Sequence, residues 1–515
     1  MNWLKKNLPK KFELKHVILV FVLLGASFLR LYNIPNTVQF LGDQGRDAIA
    51  VSKIFTEFDP VFIGPVTSVG NMYLGPLYYY FMLPFLMVTY PSPMGPVYAM
   101  AVLGILTVFL MYYIGKQFLP QKAALLASTL FGFSAVMAHN TRFSWNPNPA
   151  PIVSLCMLFF TYKAVKKDTR YWILVTVCFA ILIQLHYLTL LSGAGFGIVW
   201  LYQLVTKIKQ NKSVKRMLTS TVIAAFIFIL SLTPLILFDL KHDGLNRRAF
   251  LDILTKEDTF IGDSQDDSRS ITKIFYDLKG RSEQIITDIS IGKHEGVINF
   301  FILIVVLTAF SLHIYTERKN KRDVTGELVL ASFLLTGILG TAFYNHNVYD
   351  HYIAYLFPVS FFVISIALNF LASKRLLGGL FILGFLLLFA RFNYRHAQVI
   401  LSSLGWTIAH TQGVAKTIED RVAPGEKYNI VLLNDTGDIY GQNYRYFLLA
   451  SEKPPVGEES FGDTDTLFII DEQRKVEREV DSPVYEVVTF PSKIVQEKYE
   501  IPNGPEIVVL RKISN

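Results

Sequence analysis

Long apolar segments recur from near the N-terminus to about residue 391, and the loops between them are alternately rich in Lys and Arg and nearly free of them. The segments lie at 16–32, 96–115, 122–138, 149–165, 171–186, 188–206, 217–238, 296–315, 325–343, 352–372 and 376–391. Each is near the roughly 20 residues a helix needs to cross the hydrocarbon of a bilayer. A chain written this way must satisfy its backbone inside helices in lipid, which leaves a polytopic helical membrane protein as its fold class. Composition agrees, since 52% of residues are hydrophobic and only 17% charged, too few charges for a soluble enzyme. The formal charge of +8 does not point to nucleic acid, because the basic residues are spread between apolar segments instead of forming one patch. Cys156 and Cys178 both lie inside apolar runs, so there is neither a disulfide framework nor a metal-binding pair.

The basic loops predict the topology. Lys5, Lys6, Lys10, Lys11 and Lys15 precede the first apolar run, and no small-residue cleavage site follows it. This predicts a retained anchor with a cytoplasmic N-terminus. The stretch 72–90 is apolar but rich in Pro and Tyr and is bounded by Pro91-Ser92-Pro93. Counting it as a span would put Lys116 and Lys122 outside and invert every later basic loop, so it is expected to lie in the outer interface. The loops holding Lys163 to Arg170, Lys207 to Arg216, Arg318 to Arg322 and Lys374-Arg375 then all become cytoplasmic, and about eleven spans result. Residues 1–391 form the membrane domain, with an external first loop at 34–95. A longer external piece, 239–295, carries Arg247-Arg248 and an acidic run at Asp263, Asp266 and Asp267. Residues 392–515 have the composition of a small extracytoplasmic α/β domain, with β-type runs at 428–433, 466–470, 484–488 and 507–510.

That topology collects polar residues on the outer face. The motif Gly42-Asp43-Gln44-Gly45-Arg46-Asp47 follows the first span, and the short outer loops carry Arg142 with Trp145, Asn146 and Asn148, then Gln184 with His186, and finally Tyr344 to His351, including His346. Ionisable groups are costly at a bilayer surface and mark function by default. Taken singly, each has an ordinary structural explanation. Asp43 and Arg46 can pair along a helix, Trp145 can sit in an aromatic belt, and Asn146 and Asn148 can form a turn and a helix cap. His186 and His346 can be interfacial hydrogen-bonding groups, and Arg142 can snorkel or pair. Their convergence on one face favours a site.

In this order the features resemble the GT-C membrane glycosyltransferases that use polyprenyl-phosphate sugars, in particular the branch of protein O-mannosyltransferases and the lipid A aminoarabinose transferase. The resemblance spans residues 16–390 and rests on Asp43 to Asp47, Gly75-Pro76-Leu77-Tyr78-Tyr79, the stretch 123–128, Arg142-Phe143-Ser144-Trp145-Asn146-Pro147-Asn148, Gln184-Leu185-His186 and His351-Tyr352 leading to Pro358. It implies an inverting hexosyl or pentosyl transfer from a polyprenyl-phosphate donor to a hydroxyl or amine of an envelope lipid, glycan or protein. Direct displacement needs a base for the acceptor proton and positive charge for the departing phosphate. The resemblance gives Asp43 as base with Asp47 in support, and Arg142, His351, Arg247 and Arg248 as phosphate ligands. Arg46, Trp145, Asn146, Asn148, Gln184, His186, Tyr344 and His346 are then expected to contact substrate. Several family members hold a metal with a second carboxylate in the loop that is 139–148 here, yet this loop contains no Asp or Glu. A mechanism without metal or other cofactor is favoured over a divalent ion on Asp43, Asp47 and Asn side chains. The competing classes are a transporter or flippase of lipid-linked sugars, for which the chain lacks visible inverted repeats, and a non-catalytic scaffold on the same fold.

Overall fold

The computed structural model describes residues 13–67, 72–255, 271–294, 296–344, 347–402, 406–434, 438–458, 460, 464–474, 485–490 and 493–512. His346 and the acidic run at Asp263, Asp266 and Asp267 lie outside the described residues. Helix α1 (Leu14–Leu31) is followed by a first loop that carries α2 (Gly42–Thr56) and α3 (Leu77–Thr89). The apolar segments then form α4 (Met94–Gly115), α5 (Gln121–Phe133), α6 (Ala150–Lys166), α7 (Tyr171–Leu185), α8 (Leu191–Lys209), α9 (Lys215–Ser231) and α10 (Thr233–Lys241). Beyond the next loop, with α11 (Leu245–Thr255) and α12 (Ile271–Glu283), come α13 (Ile298–Lys319), α14 (Thr325–Ala342), α15 (Phe357–Leu371) and α16 (Arg375–Leu401).

This is a multi-span membrane protein, but its helices are less uniform than the apolar segments suggest. Among the described residues, seven helical stretches are long and apolar enough to cross a membrane, and α9 with α10 makes an eighth bent by 49°. The expected count of about eleven is therefore not established. The segment at 122–138 breaks because Ser134 leaves the helical region after Phe133 and its side chain accepts from the Met137 N–H to start a new short helix. Helix α3 has 13 residues, about 20 Å at 1.5 Å per residue, too short to cross hydrocarbon unaided.

Helix α15 is the centre of the bundle, with every residue from Phe357 to Leu368 buried, as expected of a helix that is apolar all round. By contrast, α1 and α16 expose Phe21, Leu24, Leu376, Leu377 and Leu387, the faces that lipid covers. Helix α16 also runs through residue 391, where the composition predicts the soluble domain to begin, and continues to Leu401. Of its polar residues beyond that point, Asn393 serves packing. Asn393 is buried, accepts from the Ala135 N–H at 2.7 Å and donates to the Ser290 carbonyl at 3.0 Å.

After α17 (Ile408–Glu419) the chain forms a four-stranded sheet of β1 (Tyr428–Leu433), β2 (Thr466–Asp471), β3 (Lys493–Glu500) and β4 (Glu506–Lys512), with α18 (Gln442–Leu449) between the first two strands. The order is β1-β2-β4-β3, with β1 and β2 parallel and the other pairs antiparallel. Two sequence expectations change here. The run at 484–488 contributes to the short helix Tyr485–Thr489, and the third strand is Lys493–Glu500. An edge strand needs only one apolar face, and this one hides its pattern behind Gln496, Lys498 and Glu500.

The sheet domain docks on the first loop. Gln39 bridges to Thr407, the Ile408 N–H donates to the Val38 carbonyl at 3.2 Å, and the Phe40 ring packs between Tyr446 and Phe447. These contacts fix where α2 begins.

Candidate active site

Helix α2 starts at Gly42 because Leu41 is extended and its N–H is taken by the Gln44 side chain at 2.6 Å. Asp43 thus falls in the first turn, where the helix dipole favours a negative charge. Arg46, one turn on, donates to Asp43 Oδ1 at 2.9 Å and to Asp47 Oδ1 from two nitrogens, at 2.9 and 3.1 Å. The two carboxylates differ sharply in setting. Asp47 is 1% exposed, also accepts from the Tyr79 hydroxyl at 3.1 Å, and keeps its Oδ2 buried without a hydrogen-bond partner among the described residues. Burial pushes its carboxyl up to about 6, against the pull of Arg46. Asp43 has a side chain 49% exposed, so it is the carboxylate that substrate can reach.

Asp43 and Arg46 line a cavity of about 340 Å³ together with Trp145, Asn146, His186 and His351, within the size range of small-ligand pockets. Four separate chain segments supply these residues. Asn146 is held by donation to the Leu185 carbonyl at 2.6 Å, which ties the Trp145 loop to the end of α7. His186 Nδ1 accepts from the Leu188 N–H at 3.2 Å, so Nε2 carries the hydrogen of the neutral ring. His351 is packed among aromatic rings, with Trp145 at 4.3 Å, Tyr352 at 4.5 Å and a parallel Tyr349 at 5.8 Å between centroids.

A second, mainly apolar groove of about 420 Å³ shares Leu74 and Tyr187 with the first cavity. Its wall includes Leu190, Phe228, Leu232 and Leu235, with Gln184 and Arg247 among its few polar residues. Arg247 is positioned by local hydrogen bonding. Asp239 accepts the Asn246 and Arg247 N–H groups at 2.7 and 2.9 Å, capping α11, and the Asn246 side chain pairs with both backbone groups of Tyr73 at 2.6 and 2.9 Å. A polar cavity of about 770 Å³, lined by Gln284, Asp288, Asn299 and Asp350, also has in its wall Tyr349, the ring stacked on His351.

Other expected site residues are placed elsewhere. Arg142 is buried, and its guanidinium donates to the Leu29 and Tyr32 carbonyls at 2.8 and 3.0 Å and to the Thr37 hydroxyl. It cements the end of α1 to its loop and does not line the cavity that holds Asp43. Asn148 donates to the Phe143 carbonyl within its own loop. Tyr344 does not line the cavity itself but contacts Tyr187, which does, their hydroxyls 2.5 Å apart, and Arg248 lines neither the cavity nor the groove. Three contributors are not among the expected site residues. Tyr79 stands in the Gly75-Pro76-Leu77-Tyr78-Tyr79 motif without a role of its own, Asn246 carries no signal beyond its residue type, and Asp438 reaches α2 through tertiary docking. Among the described residues no group of three or more His, Cys, Asp and Glu is disposed to hold a metal ion.

Residues 74–236 match the family model described as dolichyl-phosphate-mannose-protein mannosyltransferase. No curated protein matches the sequence significantly. Among solved structures, ArnT from Cupriavidus metallidurans bound to undecaprenyl phosphate is similar with a TM-score of 0.58 at 12% identity, over 96% of this chain and 97% of that one. Its apo form gives 0.59 at 11% identity over the same shares. AglB from Archaeoglobus fulgidus, in complex with an inhibitory peptide and a dolichol-phosphate, gives 0.50 at 12% identity over 91% of this chain and 70% of that one. The chain thus has an ArnT-like fold.

Proposed function

We propose that the protein is a membrane glycosyltransferase that moves a sugar from a polyprenyl-phosphate carrier to a hydroxyl or amine of a cell-envelope acceptor, on the extracytoplasmic face and with inversion. The observation that carries this reading is the junction of the two spaces. A polar cavity with an exposed carboxylate, two imidazoles and an indole opens beside an apolar groove that also presents Arg247. Such a pair of spaces suits a donor with a sugar at one end and an isoprenoid chain at the other. The relatives support it, since one of the similar structures holds undecaprenyl phosphate and another a dolichol-phosphate.

In the proposed reaction Asp43 accepts the acceptor proton as the acceptor heteroatom attacks the anomeric carbon. The bond from that carbon to the phosphate oxygen breaks, and the lipid phosphate leaves with the electron pair. Attack on the face opposite the leaving group inverts the anomeric configuration. Arg247 supplies positive charge to the phosphate and His351 a ring nitrogen near it. Arg46 holds one oxygen of Asp43 and so orients the other toward the acceptor. Trp145 and His186 form the walls against which the sugar stacks. The polar cavity with Tyr349 in its wall is the route for the acceptor.

Mass spectrometry of envelope lipids and glycans from a strain lacking the protein tests the assignment. Loss of one glycosyl unit from an acceptor, restored by the wild-type gene, is the expected result. Loss of that unit with carrier-linked sugar stranded on the cytoplasmic side would instead indicate a flippase, and an unchanged glycan profile would contradict both readings.

A further inference from the structure

The glycines of the first-loop motif are explained by what touches them. A Cβ on Gly42 would lie 2.2 Å from Asp438 Oδ2, and one on Gly45 would lie 2.4 Å from the backbone of Gln442 and Asn443. Neither glycine has a positive φ, so the requirement is space. Three residues apart, they share one face of α2, and the N-terminus of α18 rests on that face. The Asp438 carboxylate caps α18, accepting from the Gln442 N–H at 3.1 Å. It therefore sits between the N-terminal ends of two helices, both of which favour negative charge. Asn443 secures the contact by donating to the Phe40 carbonyl at 3.2 Å.

We propose that Asp438 is a positioning residue for Asp43, holding the first turn of α2 in place and keeping a negative charge beside the base, so that the C-terminal domain completes the active site. This rests on the assignment of Asp43 as base. The charged and titratable surroundings of Asp43 are Arg46 and Asp47 on its own helix, Tyr79 of α3 through Asp47, and Asp438 from the C-terminal domain. Arg445 lies behind Asp438, bound to Asn429 and the Tyr440 carbonyl, and His186, Tyr187, His351 and Tyr352 are the other titratable groups lining the cavity. The Asp438 carboxyl is itself pushed up, by burial first and with the Asp43 charge contributing, against the pull of the Gln442 and Gly441 N–H groups. An anionic neighbour makes a carboxylate hold its proton to higher pH.

The test is kcat/KM against pH for the full-length enzyme in lipid nanodiscs, for wild type, Asp438→Asn, Asp438→Glu and Gly45→Ala. Asp438→Asn is expected to move the acid limb to lower pH and to lower kcat several-fold, while Asp438→Glu keeps the wild-type limb. Gly45→Ala pushes α18 and its capped carboxylate off α2 without changing any charge, so it should move the limb in the same direction even if Asp438→Asn fails to fold. An unmoved limb with wild-type kcat in Asp438→Asn or, if that variant does not fold, in Gly45→Ala overturns the proposal. If Asp43→Asn is inactive in the same assay, the base assignment survives that failure; if Asp43→Asn is active, the base assignment itself falls.

Discussion

Arg46 grips Asp47 through a single carboxylate oxygen. The guanidinium donates twice to Asp47 Oδ1, the Tyr79 hydroxyl donates to it as well, and the other carboxylate oxygen is buried with no hydrogen-bond partner among the described residues. This uneven solvation makes Asp47 the costliest charge of the motif, and burial accordingly lifts its carboxyl from an ordinary 3.8 to about 6. Between those values the folded protein binds a proton that the unfolded chain has released, so stability falls as pH rises from about 4 to about 6. The loss is on the order of 3 kcal/mol. Thermal melts from pH 4.5 to 7 should show the apparent Tm declining through that window in wild type and a flatter profile in Asp47→Asn.

Arg142 is expected to matter for folding. Removing its guanidinium leaves the Leu29 and Tyr32 carbonyls and the Thr37 hydroxyl short of donors in a buried setting. Arg142→Ala should cost about 2–4 kcal/mol, read as a lower apparent Tm and a lower yield of monodisperse protein. Whatever fraction folds should keep a near wild-type KM for the donor.

Arg247 should behave in the opposite way. Its side chain is exposed and lines the apolar groove, so Arg247→Ala should leave the apparent Tm unchanged. Loss of one charge-assisted contact to the donor phosphate should raise the donor KM roughly 10- to 100-fold. Steady-state kinetics with varied donor at saturating acceptor measure this. A variant with unchanged KM would remove Arg247 from the donor site.

How far the sequence could be read depended on the range of the interaction. Local periodicity and basic loops sufficed to recognise a multi-span chain and to bring Asp43, Trp145, Asn146, His186 and His351 to one place, because each lies beside a helix end. The role of Arg142 was not legible, since a sequence shows a cation but not the backbone carbonyls that surround it. Nor was Asp438, whose approach to Gly42 is created by docking of a separate sheet domain. The apolar segments did not reveal where a helix breaks, as at Ser134, because a cap can interrupt a helix without any change in hydropathy.

A guanidinium occupies the position between Asp43 and Asp47 that a bridging cation would need. Transfer is therefore expected to continue in excess EDTA, with the initial rate within about twofold of the untreated enzyme, since removing a catalytic ion would cost far more. Rates before and after chelation, with magnesium, manganese and calcium added back separately, check this.

In the proposed reaction Asp43 takes the acceptor proton, and Asp43→Asn removes that ability alone. The variant keeps the size of the side chain and can still face Arg46, so it should fold and bind a polyprenyl-phosphate sugar with near wild-type affinity. Single-turnover transfer in nanodiscs, followed by mass spectrometry of the product, should fall by at least the roughly 100-fold that a general base contributes. Transfer at a wild-type rate by the folded, donor-bound variant would contradict the account.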